Sequence, residues 1–395
     1  MFKKTLSLLL CLTGFLLLNV HAQQDFYWIG GGGVWNDTTQ WSSSSGGPAD
    51  KTSLPTKADN VFFDVNSFDT LGQEVSTDFN ANTTFPVCKD MSWSGVQHEP
   101  TFNFIYDTLS VHGSLTFDTA MSLKDAGSQG YECYIEFKSD VPGNRIDMGG
   151  HTELKQIIFD ADTGSGGGSW ELLDSLSGGT PQLSGGGGEV IIIINQGSFY
   201  SNGFLIRAKG IEVSNGHVGN IIIDSSEIFV YTYRNYTFNF SSADSVSALG
   251  TTVNVLNEDD PYFNGGPFHY NKVVFKGNAL LGLANSASLP GECRIDTLIF
   301  NAGNYFYPLW QSYDIRIVDT LIINGSDCGH YTHFKGGSSE LNIQKPHQFN
   351  YIIFEGLKNI GANATLNNCV VVDSASGWNF ANDPTPKTLY RVGGS

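Results

Sequence analysis

A short strand-and-corner pattern returns along this chain and restricts what it can fold into. Two hydrophobic, mostly β-branched residues are followed by an aromatic or Ile and then by a small or polar pair. It occurs at 156–161, 272–277, 297–302, 320–325 and 351–356, whose centres read Ile-Ile-Phe-Asp, Val-Val-Phe-Lys, Leu-Ile-Phe-Asn, Leu-Ile-Ile-Asn and Ile-Ile-Phe-Glu. Related runs stand at 190–195 and 220–224. The last four copies lie roughly 23 to 31 residues apart, the period of stacked repeats. A unit this short cannot bury its own apolar side, so it must stack on its neighbours. Three apolar residues closed by Gly, Asn or Asp read as a short strand and a corner, because those residues tolerate the backbone angles of a turn.

Several such strands per repeat make one turn of a coil. The expected fold is all-β, a right-handed parallel β-helix, with Phe159, Phe275, Phe300 and Phe354 stacked along its interior. A large β-sandwich also has short strands and many turns, and is the alternative. The 46 glycines against 13 prolines fit many tight corners in either case.

Residues 1–22 read as a secretory signal peptide. Lys3 and Lys4 form a basic head, Leu6 to Leu18 an apolar core shorter than a membrane span, and Val20-His21-Ala22 a cleavage site before Gln23. The expected location is extracellular, at the cell surface, without membrane insertion. The chain holds 39 acidic and 21 basic residues, a net charge of −18, which argues against nucleic acid and anionic membranes as partners. Five cysteines follow the leader: Cys88, Cys133, Cys293, Cys328 and Cys369. None has the paired spacing of a zinc site, and disulfides and buried thiols remain alternatives.

Residues 23–68 change character, with aromatics spaced by Gly, Ser and Asp. Trp28, Trp35 and Trp41 fall close together and are expected to cap the first rung. Asp59, Asn60, Asp64 and Asn66 offer oxygen ligands for calcium, and they serve equally as turn caps around Val61-Phe62-Phe63. The run from Tyr27 to Trp41, then Pro55, residues 59–64 and Asn66-Ser67-Phe68, resembles the opening module of very large Bacteroidetes surface proteins. Those proteins are adhesin-like and exported by the type IX secretion system, and their module ends in a Gly-Trp-Asn-Phe element, as at 377–380 here. Asn60 stands where that family usually has Asp, which weakens a metal site, and a sorting domain is not seen. The resemblance implies an adhesive or structural rod whose partners are surface glycans, other surface proteins and the export machinery.

The β-helix is expected to cover 69–380, with a widened turn or insertion within 225–268 and a strand buried on both faces at 190–194. A linker follows at 381–388. Residues 389–395 repeat the pattern of 26–32 and are expected to begin a second module.

Parallel β-helices include polysaccharide-degrading enzymes, so catalytic residues were sought. Asp259-Asp260 would need a tight loop to converge, since neighbours on a strand face opposite ways. His217, His269, His330 and His333 lack ligand spacing, with the last two expected in loops, and no Gly-x-Ser-x-Gly elbow is present. The expectation is no enzyme and no cofactor beyond possible calcium. Carbohydrate binding by a line of aromatics is the alternative, with Tyr231, Tyr233, Tyr236, Tyr305, Tyr307, Trp310 and Tyr313 as candidates.

Overall fold

The computed structural model describes residues 22–77, 86–104, 108–124, 134–152, 154–162, 167–178, 190–231, 238–257, 263–277, 279–281, 293–300, 305–308, 315–323, 331–335, 340–372 and 376–380. The leader at 1–21, Asp259-Asp260, His330, Cys133, Cys328, the linker and the residues after it lie outside them. Among the described residues the chain is all-β apart from one helical turn, Thr38–Gln40.

The strands form long parallel sheets. Among the described residues, short strands pair with strands further along the chain, and every pairing is parallel except that of Asp25–Trp28 with Trp41–Ser42. Parallel pairing sets aside the sandwich alternative, whose strands run antiparallel. In the eight-stranded sheet, register brings Leu109, Ile135, Ile157, Ile192, Ile211, Phe238 and Phe263 into one row. All seven are buried. A second row in that sheet runs Cys88, Val111, Phe137, Phe159, Ile194, Val213. Cys88 therefore sits as a small hydrophobe in an apolar row, and burial drives its thiol pKa far up. Cys88, Cys293 and Cys369 are all free thiols.

The largest sheet holds comparable rows, Ile206, Ile228, Val253, Val273, Leu298, Leu321 and Ala208, Val230, Val255, Phe275, Phe300, Ile323. Alternation explains both: with one residue in and the next out, a strand of three or four residues contributes two side chains to the interior. The run at 190–194 follows the same rule rather than being buried on both faces. Ile192 and Ile194 are buried while Ile191 and Ile193 are half-buried.

Within 225–268, where a widened turn or insertion is expected, two ladders merge, and residues 232–237 and 258–262 lie outside the described residues. Ser245–Asn257 is one long strand. Its start pairs with Asn220–Ile222 and its end with Glu227–Tyr231. The corner between those two strands, with Ser225 at φ 58°, becomes in the next rung a register shift between Ala248 and Thr252 around Gly250. A glycine at that point, with φ 70°, lets the ladder bend without ending.

The four recurrent phenylalanines are fully buried but do not form one column. Phe159 stacks on Phe137 at 5.2 Å and 12° in the eight-stranded sheet, and Phe275 stacks on Phe300 at 5.2 Å and 11° in the largest. Phe354 pairs with Phe334 in the five-stranded sheet. The motif marks any strand with an inward ring, whichever sheet it joins.

Candidate functional site

The start of the stack is organised by aromatic rings. Asp25–Trp28 pairs with Asn60–Phe62 on one edge and with the antiparallel Trp41–Ser42 on the other, so the first parallel strand of the largest sheet is paired on both sides. Trp41 meets Trp28 edge-on at 4.9 Å and Trp35 at 5.0 Å. Its indole N–H donates to the Trp35 carbonyl, and that of Trp28 to the Gly31 carbonyl. Phe63 lies flat on Trp93 at 3.7 Å, which carries the cluster past residue 68 into the following rung.

The four proposed calcium ligands do not converge. Asp59 precedes the strand Asn60–Phe62 and Asp64 follows it, so the strand holds their carboxylates at its opposite ends. The buried Asp59 carboxylate accepts the Gln24 N–H at 2.9 Å and both the N–H and the hydroxyl of Thr56, at 3.0 and 2.6 Å. Asp64 accepts the Asn66 N–H, while Asn60 and Asn66 donate to Asp25 and Ser45. Among the described residues no cluster of three or more His, Cys, Asp or Glu side chains has metal-holding geometry.

The described aromatic candidates fall on two sheets. Tyr231 ends a strand of the largest sheet opposite Leu256, and Tyr305 and Tyr307 lie on a strand of the five-stranded sheet. Tyr233, Tyr236, Trp310 and Tyr313 fall outside the described residues. The histidines are tied into neighbouring strands. His269 lies 2.6 Å from Asp296, and His333, on the strand Thr332–Lys335 rather than in a loop, lies 2.8 Å from Glu355. His217 is buried, 2.9 Å from the Gly197 carbonyl.

One place combines a cavity with a cluster of titratable groups. The segment 54–57 borders a cavity of about 370 Å³, lined by Trp35, Leu54, Pro55, Thr56, Lys57, Val87 and His112. His112 follows the strand Thr108–Val111, in which Leu109 and Val111 face inward, so its imidazole emerges on the outer side. It is nevertheless only 12% exposed. Its Nδ1 lies 3.3 Å from Asp162 Oδ2, and Lys57 Nζ lies 3.2 Å from the same oxygen. The ring is held from two sides, by Asp162 at Nδ1 and by a hydrogen bond to the Lys138 backbone. Burial lowers the pKa of His112, Asp162 opposes that shift, and Lys57 and Lys138 reinforce it. The imidazole is therefore neutral at pH 7.

This cluster has no signature in the sequence. Leu54 to Lys57 stand next to the quoted Asp59 motif, and His112 interrupts an apolar alternation, but their common partner Asp162 lies 105 residues from Lys57. Fold and site together define an all-β protein of stacked parallel strands with an aromatic-sealed first rung and a half-open cavity beside it. No family model matches the chain, and no curated protein or solved structure matches it significantly.

Proposed function

We propose that the chain is a non-catalytic module of a secreted surface protein, a right-handed parallel β-helix acting as an adhesive or structural rod. The observation that carries this reading is the parallel laddering. Rows of buried side chains run strand to strand through the eight-stranded sheet and the largest sheet, and further parallel ladders reach Val370–Val372 and Asn379–Phe380. Such rows stiffen a long axis and leave the outer side chains free to vary. The resemblance of 27–41, 59–68 and 377–380 to the opening and closing elements of Bacteroidetes adhesin-like modules supports secretion and a surface location.

About a dozen turns at the 4.7 to 4.9 Å spacing of paired strands give a rod about 60 Å long. Small-angle scattering of the purified protein tests the shape, and a globular profile overturns it. Function is tested with protein-coated beads on cells of defined surface glycan content, alongside incubation with pectin, alginate and chitin fragments. Retention without turnover is the expected result. Turnover of any of these polysaccharides removes the reading.

A further inference from the structure

We propose that the cavity between the 54–57 segment and His112 binds an uncharged saccharide unit. The inference stands apart from the rod reading, since a rod needs no cavity. At about 370 Å³ the space falls at the lower end of small-molecule sites, roughly 300 to 1,000 Å³, and suits a mono- or disaccharide-sized ligand.

Its walls divide by chemistry. Trp35, Leu54, Pro55 and Val87 provide an apolar surface, the kind on which the C–H face of a pyranose packs. Lys57 and His112 stand at the other side, with Asp162 joined to both. Lys57 lines the cavity with ammonium donors, and the Asp162 carboxylate bound to it adds acceptor oxygens beside them, held in place by His112. A sugar hydroxyl both donates and accepts, so adjacent hydroxyls can be met by that mixed set.

Charge selects among sugars. Lys57 and Asp162 cancel and His112 is neutral, so the cluster carries no net charge within a chain of net charge −18. A uronate or sialate would meet no uncompensated cation here and would be opposed by the field of the whole molecule. The wall is also held before any ligand arrives, because Asp59 fixes Thr56 by two hydrogen bonds and so fixes the turn that carries Pro55 and Lys57. Little ordering is left to oppose binding.

Isothermal titration of the full chain with methyl glucoside, methyl galactoside, N-acetylglucosamine, cellobiose and chitobiose tests this, with galacturonate as the charged control. Saturable binding of at least one neutral saccharide is expected, with galacturonate weaker. Lys57→Met should weaken that binding about tenfold, the loss that goes with removing a hydrogen bond to a polar ligand, and His112→Phe should weaken it by releasing Asp162 from its place beside Lys57. The Lys57 side chain is 67% exposed, so its variant should melt as the parent does and decides the matter if His112→Phe fails to fold. Overturning results are the absence of binding by any neutral sugar, stronger binding of galacturonate, or binding that Lys57→Met leaves unchanged; in those cases the His112–Asp162 pair only fastens strands together.

Discussion

The Asp59 carboxylate takes both the backbone N–H and the hydroxyl of Thr56, at 3.0 and 2.6 Å, and so locks the turn that leads from the cavity wall into the first strands. Its other oxygen accepts the Gln24 N–H, and the Asp59 carbonyl accepts from Lys89 of the next rung.

Asp59→Ala strips acceptors from the Thr56 and Gln24 N–H groups. It should cost about 1 to 3 kcal/mol, the penalty for leaving buried donors unpaired. Urea unfolding of parent and variant measures it, and a difference below about 0.5 kcal/mol would place the turn's stability elsewhere.

Phe300 is fully buried, stacked on Phe275 at 5.2 Å and met edge-on by Phe334 at 5.4 Å. Phe300→Ala should cost about 3 to 5 kcal/mol, since rungs fixed by hydrogen bonds above and below cannot collapse into the cavity. A loss under about 1 kcal/mol would remove Phe300 from the core.

Gly197 has φ 98°, and a Cβ there would lie 2.7 Å from Trp170 Cζ3 and 2.9 Å from the Gly168 carbonyl. Gly216 has φ 79° with nothing within 4 Å. Both alanine variants carry backbone strain of about 1 to 3 kcal/mol, and only Gly197→Ala adds overpacking of similar size. Thermal melts should therefore rank Gly197→Ala well below Gly216→Ala; equal midpoints would refute the contact.

His217 links three rungs. Its Nε2 lies 2.9 Å from the Gly197 carbonyl, and its Nδ1 accepts the Asp244 N–H at 3.3 Å, which fixes the neutral Nε2–H tautomer. Burial lowers its pKa, as it does that of His112. The folded protein then binds these protons less readily than the unfolded chain does. The stability involved is whole above the unfolded value of about 6.5 and is lost as pH falls through that value towards the lowered folded ones. Melting temperature should drop between about pH 7 and pH 5, and drop less in His217→Gln. Parallel curves for the two proteins would show that His217 does not titrate on unfolding.

Much of the ladder was legible in the sequence. The copies at 272–277, 297–302 and 320–325 pair directly, Phe275 to Phe300 to Ile323, because their spacing is one rung. The copy at 351–356 does not join that ladder. Its partner is Thr332–Lys335, where one inward ring, Phe334, stands without the β-branched pair that marks the others. The alternation at 109–117 was likewise visible, yet it spans two strands of different sheets separated by a corner at 112–114. Asp59 was recognisable as a turn cap or a ligand, and it caps the turn at Thr56 by two local hydrogen bonds while a third ties it to Gln24.

The sequence by itself determined the elements: which residues face inward, where corners fall, and that strands must stack. Those properties follow from the period of two along a strand and from turn residues, both set by neighbours in the chain. Only the tertiary structure decided which strands share a row, that tryptophans seal the first rung through an antiparallel strand, and that Lys57, His112 and Asp162 meet at one cavity. Their meeting depends on how many rungs and how long a corner separate them, so the residue types at each position carry no sign of the partner that stacking brings alongside.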